Sequence, residues 1–190
     1  LCDDNKLVLV FDEVQTGMGR IGTLFAYEKT GVMPDIMALA KALGGGFPMG
    51  ACLATVAAAA GMTPGTHGST FGGNLLAAAA GNATLDVMLK PGFFEHVQKM
   101  SLLLKQKLAS IVDRYPSVVN EVRGDGLLIG VKAVVPAGDV ISALRDEKLL
   151  TVAAGDNVVR FLPPLIVGET EIEDAVTRLE RACARLARTS

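Results

Sequence analysis

The chain has 190 residues, half of them hydrophobic, and a formal net charge of -2 with both signs interspersed. That length holds one ordinary domain or parts of two. The charge balance leaves no basic face for nucleic acid and no charge run for a membrane surface. Apolar stretches are short and broken by Gly, Pro or charges, so no segment reads as membrane-spanning. Cys2, Cys52 and Cys183 are odd in number and widely spaced, which suits free thiols in a reducing compartment, the cytoplasm by default. His67 and His96 are too few to complete a metal site with them, so no metal is expected. The chain opens at Leu1 without Met and runs almost at once into an apolar strand, which reads as an internal start: the C-terminal part of a longer polypeptide.

In chain order, residues 7–11 (Leu-Val-Leu-Val-Phe) form a fully apolar run of the kind found in the middle of a parallel sheet. A glycine-interrupted loop follows at 16–21, then a short helix over 22–30 closed by Gly31. A second buried strand spans 36–40 and leads into Lys41 and a glycine turn, Gly44-Gly45-Gly46. Residues 50–55 read as a third strand, 56–61 as an Ala-rich helical turn, and 64–74 as a Gly/Ser/Thr loop too polar for a core. Helices are predicted over 75–89 and 93–115, the second with Val97, Met100, Leu104, Leu108 and Ile111 at helical spacing and Pro116 ending it. The rest reads as strands 118–122 and 126–135, helix 138–148, strands 149–153 and 157–162, and a last helix 169–188 with acids in its first turn. The expected organisation is α/β: residues 1–94 as the end of a large domain with its connecting helix, and 95–190 as a small α+β domain.

Two strand ends carry the chemistry. The first runs into Asp12-Glu13-Val14-Gln15-Thr16-Gly17 and the second ends at Lys41. Taken singly, such an acid is usually loop or cap chemistry and such a lysine a solvated strand end. Together they match what pyridoxal phosphate needs: an amine to form a Schiff base with the cofactor aldehyde, and a carboxylate to keep the pyridine nitrogen protonated.

The runs Leu9-Val-Phe-Asp-Glu-Val-Gln-Thr-Gly-Met-Gly-Arg20 and Pro34-Asp-Ile-Met-Ala-Leu-Ala-Lys-Ala-Leu-Gly-Gly-Gly46 closely resemble class-III pyridoxal-phosphate aminotransferases. The loop Gly65-Thr-His-Gly-Ser-Thr-Phe-Gly-Gly-Asn74, the run Val122-Arg-Gly-Asp-Gly-Leu127 and the run Val159-Arg-Phe-Leu-Pro-Pro-Leu165 extend the resemblance over essentially the whole chain. Within the class, Leu24-Phe-Ala-Tyr-Glu28 and the Gly-Thr-His-Gly-Ser-Thr loop resemble the members that act on N-acetylornithine. The resemblance implies a fold-type I homodimer, of whose subunit this chain is the C-terminal half. It also implies transamination between N-acetylornithine, with N-succinyl-diaminopimelate as a second donor, and 2-oxoglutarate, in arginine and lysine biosynthesis. A non-catalytic fragment of such an enzyme, or an ornithine or 4-aminobutyrate type, is the alternative.

Residue by residue, the resemblance implies that Lys41 is the Schiff-base lysine and the general acid/base. Burial and nearby positive charge would disfavour its ammonium form. Asp12 would pair with the pyridinium nitrogen and Gln15 with the ring hydroxyl. Ser69 and Thr70 would serve the cofactor phosphate, Thr70 across the dimer interface, and Arg160 would hold the substrate α-carboxylate with its guanidinium fork. Glu13 is expected to face away from the ring, and Arg123 to be structural. The phosphate-binding turn, the stacking aromatic residue and the acid that pairs with the substrate arginine would lie upstream. Leu75-Leu76 stands where the family has Pro-Leu, for which a small change in helix entry is expected.

Overall fold

A computed structural model describes residues 1–188. The chain divides into two compact units, Leu1–Phe94 and the residues from Glu95 onward.

In the first unit, strands β1 (Val10–Asp12), β2 (Ile36–Leu39) and β3 (Ala51–Ala54) form a sheet in the order β1-β2-β3. β1 and β2 are parallel, with Val10 opposite Ile36 and Asp12 opposite Ala38; β3 returns antiparallel, with Ala51 opposite Leu39. Asp35 fixes the entry to β2: its Oδ2 accepts from the Leu9 N–H at 2.8 Å, while the Asp35 N–H donates to the Leu9 carbonyl at 2.9 Å. The apolar run 7–11 predicts a strand inside a sheet, yet β1 starts only at Val10 and lies on an edge, with Val10 57% exposed. Among the described residues β1 pairs with β2 alone, so its other edge is open and Leu7 and Val8 stay exposed.

The predicted helix 22–30 shrinks to a 3-10 turn, Ala26–Lys29, because Gly22 (φ 87°) and Gly31 (φ 68°) bracket it in left-handed conformations. β2 runs into a second 3-10 turn, Lys41–Gly44, and β3 into the short helix α1 (Val56–Ala59). Helix α2 (Leu75–Met88) is opened by Asn74, whose Oδ1 accepts from the N–H groups of Leu76 and Ala77, each at 3.0 Å. This cap makes a proline at position 75 unnecessary. α2 lies against the glycine turn, where a Cβ at Gly81 would stand 3.2 Å from Met49 Sδ.

The second unit contains most of α3 (Phe93–Arg114), an antiparallel sheet and two further helices. Strands β4 (Val119–Asp125), β5 (Leu128–Ala133), β6 (Val152–Ala154) and β7 (Val158–Phe161) are ordered β4-β5-β7-β6, with α4 at Ala137–Asp146 and α5 at Glu169–Leu186. Val97, Leu104, Leu108 and Ile111 of α3 are buried, as are Ile129, Val131, Val159, Leu144, Ile172 and Leu179. This is the alternating strand pattern and the helical stripe that one shared core requires. Ser101 Oγ donates to the Gly126 carbonyl at 2.6 Å, tying α3 to the β4–β5 turn. The predicted strand 149–153 begins late because Lys148 is left-handed (φ 63°) and the Leu149 N–H still donates to Leu144 of α4 at 2.9 Å. Asp156 and Asn157 are likewise left-handed (φ 59° and 57°), so β7 starts at Val158. Lys99–Glu169, Lys107–Glu173 and Arg114–Glu180 pair across the exposed faces of α3 and α5. Such exposed pairs are screened by water and salt and contribute little to stability.

Candidate active site

Parallel pairing brings the ends of β1 and β2 to one edge of the first sheet. Asp12 closes β1 opposite Ala38, and Lys41 stands three residues beyond Ala38. Neighbouring strands lie about 4.8 Å apart, so an acid and an amine share the carboxyl end of a parallel pair, where α/β sheets bind ligands. Asp12 Oδ1 accepts from the Val14 N–H at 3.0 Å, which turns the carboxylate across the strand end. Gln15 follows, half-buried, in the loop that leaves the sheet.

Lys41 has φ 51°, a left-handed conformation uncommon for a long side chain. Ala40 before it is extended (φ -162°), and the turn is closed by Leu43 N–H to the Ala40 carbonyl at 3.1 Å and Gly45 N–H to the Ala42 carbonyl at 3.0 Å. Backbone strain of this kind costs on the order of 1 kcal/mol and collects at functional sites. Gly45 (φ 58°) is required by conformation and by space, since a Cβ there would sit 2.4 Å from Thr84 Oγ1 on α2. Lys41 is exposed, not buried as the lysine chemistry predicts, because the strand ends are open in this chain. Asp12 is exposed for the same reason.

Ser69 and Thr70 lie on the exposed loop before α2, in the first unit. Ser69 lines a cavity of about 530 Å³ with Phe47, Met49, Phe71 and Asn74; neither Asp12 nor Lys41 lines it. Arg160 belongs to the second unit, half-buried on β7 between buried Val159 and Phe161, opposite Gly130 of β5 and Val152 of β6. In the first unit the register puts Asp12 and the end of the strand that leads to Lys41 side by side, with Gln15 in the loop after β1, while Ser69/Thr70 and Arg160 occupy a separate loop and a separate unit. His67 is exposed in the loop. Among the described residues no group of three or more His, Cys, Asp or Glu could hold a metal ion.

Arg123 is engaged at the surface of the second sheet, with Glu121 at 2.8 Å and with Asp156, which also takes Lys132 at 2.9 Å. Hydrogen bonds from Lys132 and Arg123 hold the Asp156 carboxyl below its ordinary value. Burial lowers the Arg20 guanidinium from its usual value, though arginine stays charged.

Sequence reasoning left two residues, one in each unit, without a role. Glu13 is only 2% exposed and accepts from Thr16 Oγ1 at 2.8 Å, Ala26 N–H at 3.0 Å and Tyr27 N–H at 2.9 Å. Its local signal is the Thr three residues on; its partners at 26 and 27 have none. Asn157 accepts from the Ala137 N–H at 2.8 Å and donates to the carbonyls of Ala133 and Val135 at 2.7 and 2.8 Å, pinning the turn before the Arg160 strand. The turn signal Gly155-Asp156-Asn157 was available for it.

The model of the aminotransferase class-III family matches residues 1–183. The chain belongs to the class-III aminotransferases. Acetylornithine aminotransferase 1 of Bradyrhizobium diazoefficiens is 76% identical over 98% of this chain and 46% of its own length. The solved N-acetylornithine aminotransferase of Stenotrophomonas maltophilia K279a superposes with a TM-score of 0.88 at 37% identity, over 100% of this chain and 50% of that one. The ornithine aminotransferase of Toxoplasma gondii, crystallised with oxidized glutathione and with PLP partially occupying its active site, superposes with a TM-score of 0.91 at 32% identity, over 99% of this chain and 46% of that one. The fold is therefore the α/β fold-type I architecture of this class. The chain spans about half the length of the curated relatives it matches.

Proposed function

We propose that the polypeptide carrying this chain is a pyridoxal-phosphate-dependent aminotransferase that moves an amino group from N-acetylornithine to 2-oxoglutarate. The observation that carries this reading is the shared strand edge, with Asp12 closing β1 and a left-handed Lys41 following its parallel partner β2. Support for the donor comes from the similarity to the Bradyrhizobium and Stenotrophomonas proteins.

The donor set fits the cofactor: one amine, one carboxylate at the neighbouring strand end, one amide, and two loop hydroxyls. Bound, pyridoxal phosphate supplies an electron sink that makes a proton removable from the carbon bearing the reacting amine. Lys41 would hold the cofactor and, once released, would move the proton from the substrate carbon that bears the transferred amino group to the cofactor; in N-acetylornithine that is the side-chain carbon with the free amine, since the α-amino group is acylated. Asp12 would keep the ring nitrogen protonated, since a carboxylate beside it favours the charged form. Gln15 would hydrogen-bond the ring hydroxyl. Ser69 and Thr70 would serve the phosphate, Thr70 that of a second subunit in a homodimer. Arg160 would clamp the substrate α-carboxylate, the planar fork matching two oxygens at once.

The open strand edge makes the chain alone an incomplete site. Cover from the remaining half of the polypeptide or from the second subunit would remove water from Lys41 and favour its neutral amine. Residues 1–94 would then be the end of the large cofactor domain and 95–190 the small domain. The cytoplasm is the proposed location; among the described residues no helix is long and apolar enough to cross a membrane. N-Succinyl-diaminopimelate is a second proposed donor. The similarity to the Toxoplasma ornithine aminotransferase makes ornithine the rival donor.

The deciding experiment mixes the full-length enzyme, loaded with pyridoxal phosphate, with each donor and follows loss of its visible band. N-Acetylornithine should bleach it with the highest kcat/KM. Ornithine or 4-aminobutyrate outrunning it would replace the donor, and no bleaching by any amine would reject the reaction.

A further inference from the structure

We propose that Glu13 is a positioning residue that holds Asp12 and Gln15 in register with Lys41, an inference that rests on the cofactor reading of this edge. A carboxylate that is 2% exposed must be compensated by hydrogen bonds. Glu13 has three: Oε2 takes the Thr16 hydroxyl and the Ala26 N–H, at 2.8 and 3.0 Å, and Oε1 takes the Tyr27 N–H at 2.9 Å. Those two amides open the 3-10 turn Ala26–Lys29.

The backbone of the same residue ties down the other two sides. Its N–H donates to the Ala38 carbonyl of β2 at 3.0 Å, three residues before Lys41, and its carbonyl accepts from the Gly17 N–H at 3.0 Å. The loop packs directly on the carboxylate, since a Cβ at Gly17 would lie 2.8 Å from the Glu13 carbonyl oxygen and 3.3 Å from Oε2. Met18 follows, buried and left-handed (φ 54°). Asp12 and Gln15 flank Glu13 on either side, so their positions depend on one anchored residue. Glutamine keeps the shape but replaces an acceptor oxygen with an NH2 donor, which then faces a donor at the 3-10 turn.

The test uses full-length enzyme carrying Glu13→Gln, with Thr16→Val as a milder variant that removes one of the three hydrogen bonds. Asp12→Asn and the core variant Leu144→Ala serve as references. Each apoprotein is titrated with pyridoxal phosphate, reading the Kd, the pH at which the visible band changes, and the thermal midpoint. Glu13→Gln should weaken binding at least about tenfold, the scale of one lost charged hydrogen bond. It should also move the band's pH in the same direction as Asp12→Asn, with Thr16→Val following by less. Leu144→Ala should lower the midpoint and leave Kd and band pH unchanged. Glu13→Gln behaving like Leu144→Ala overturns the positioning role. Asp12→Asn leaving both readouts unchanged overturns the cofactor reading instead. If Glu13→Gln fails to fold, Thr16→Val is judged on the same two readouts.

Discussion

Gly45→Ala puts two separable strains into the turn that carries Lys41. The residue sits at φ 58°, where an alanine costs about 1–2 kcal/mol relative to a relaxed conformation. The added Cβ also falls 2.4 Å from Thr84 Oγ1, with the Thr84 Cβ at a comfortable 3.7 Å. Thr84 cannot simply swing away without giving up its hydroxyl bond to the Ala80 carbonyl at 2.9 Å. Overpacking of this kind costs about 1–3 kcal/mol, so the single variant should lose roughly 2–5 kcal/mol. Thr84→Ala alone should be within about 0.5 kcal/mol of the parent, because it exchanges a local bond for better helix propensity. The double variant removes the clash and keeps only the conformational part, leaving a coupling of about 1–3 kcal/mol in favour of the pair. Urea unfolding of the full enzyme, with m-values checked for constancy, reads all four states. A Gly45→Ala variant as stable as the parent, or a double variant no better than the single one, would refute the reasoning.

Asn74→Ala should cost about 1 kcal/mol by removing the α2 cap, and Asn74→Gly only a few tenths, read by the same urea titration. Asn157→Asp loses both donors to Ala133 and Val135 and sets a charge against those carbonyls; it should destabilise by about 1–3 kcal/mol, more than Asn157→Gly does in a thermal scan. The Asp156 carboxyl, held low first by Lys132 and then by Arg123, contributes stability that is complete above its unfolded value of 3.8 and lost as pH falls through its lower folded value. Asp156→Asn should therefore flatten the stability profile below about pH 4, and high salt should shrink the difference; an unchanged acid limb would contradict this. Burial pushes the Cys183 thiol up to about 12, while Cys52 is exposed. Iodoacetamide at neutral pH should mark Cys52 first and reach Cys183 only after unfolding, as peptide mass mapping will show.

The residues of the strand edge were legible because their signals are local. An apolar run ending in an acid and another ending in lysine before three glycines announce strand and turn within a few positions, and the chemistry proposed for them rests on the two together. What could not be read depends on chain that returns from elsewhere. Glu13 acquires its role from the amides of Ala26 and Tyr27, thirteen and fourteen residues later. The apolar run 7–11 reads as central because all its side chains are apolar; within this chain, among the described residues, only β2 pairs with it. Helix and strand ends in the second unit moved where Lys148, Asp156 and Asn157 adopt left-handed conformations that no periodicity announces. Asn74, read only as the end of a polar loop, proves to be the cap of α2. The predicted end of the last helix at 188 falls at Leu186, with the Ala187 N–H still donating to the Cys183 carbonyl at 2.9 Å. The exposed β1 edge also presents unpaired backbone beside bare apolar side chains, so this chain prepared alone should aggregate.

The most direct test of the account is borohydride reduction of the full-length enzyme loaded with pyridoxal phosphate, followed by peptide mapping. The reduced cofactor should be found covalently on Lys41, and Lys41→Ala should take up no label and transfer no amino group. Label on another lysine, or a fully active Lys41→Ala enzyme, would contradict the central claim.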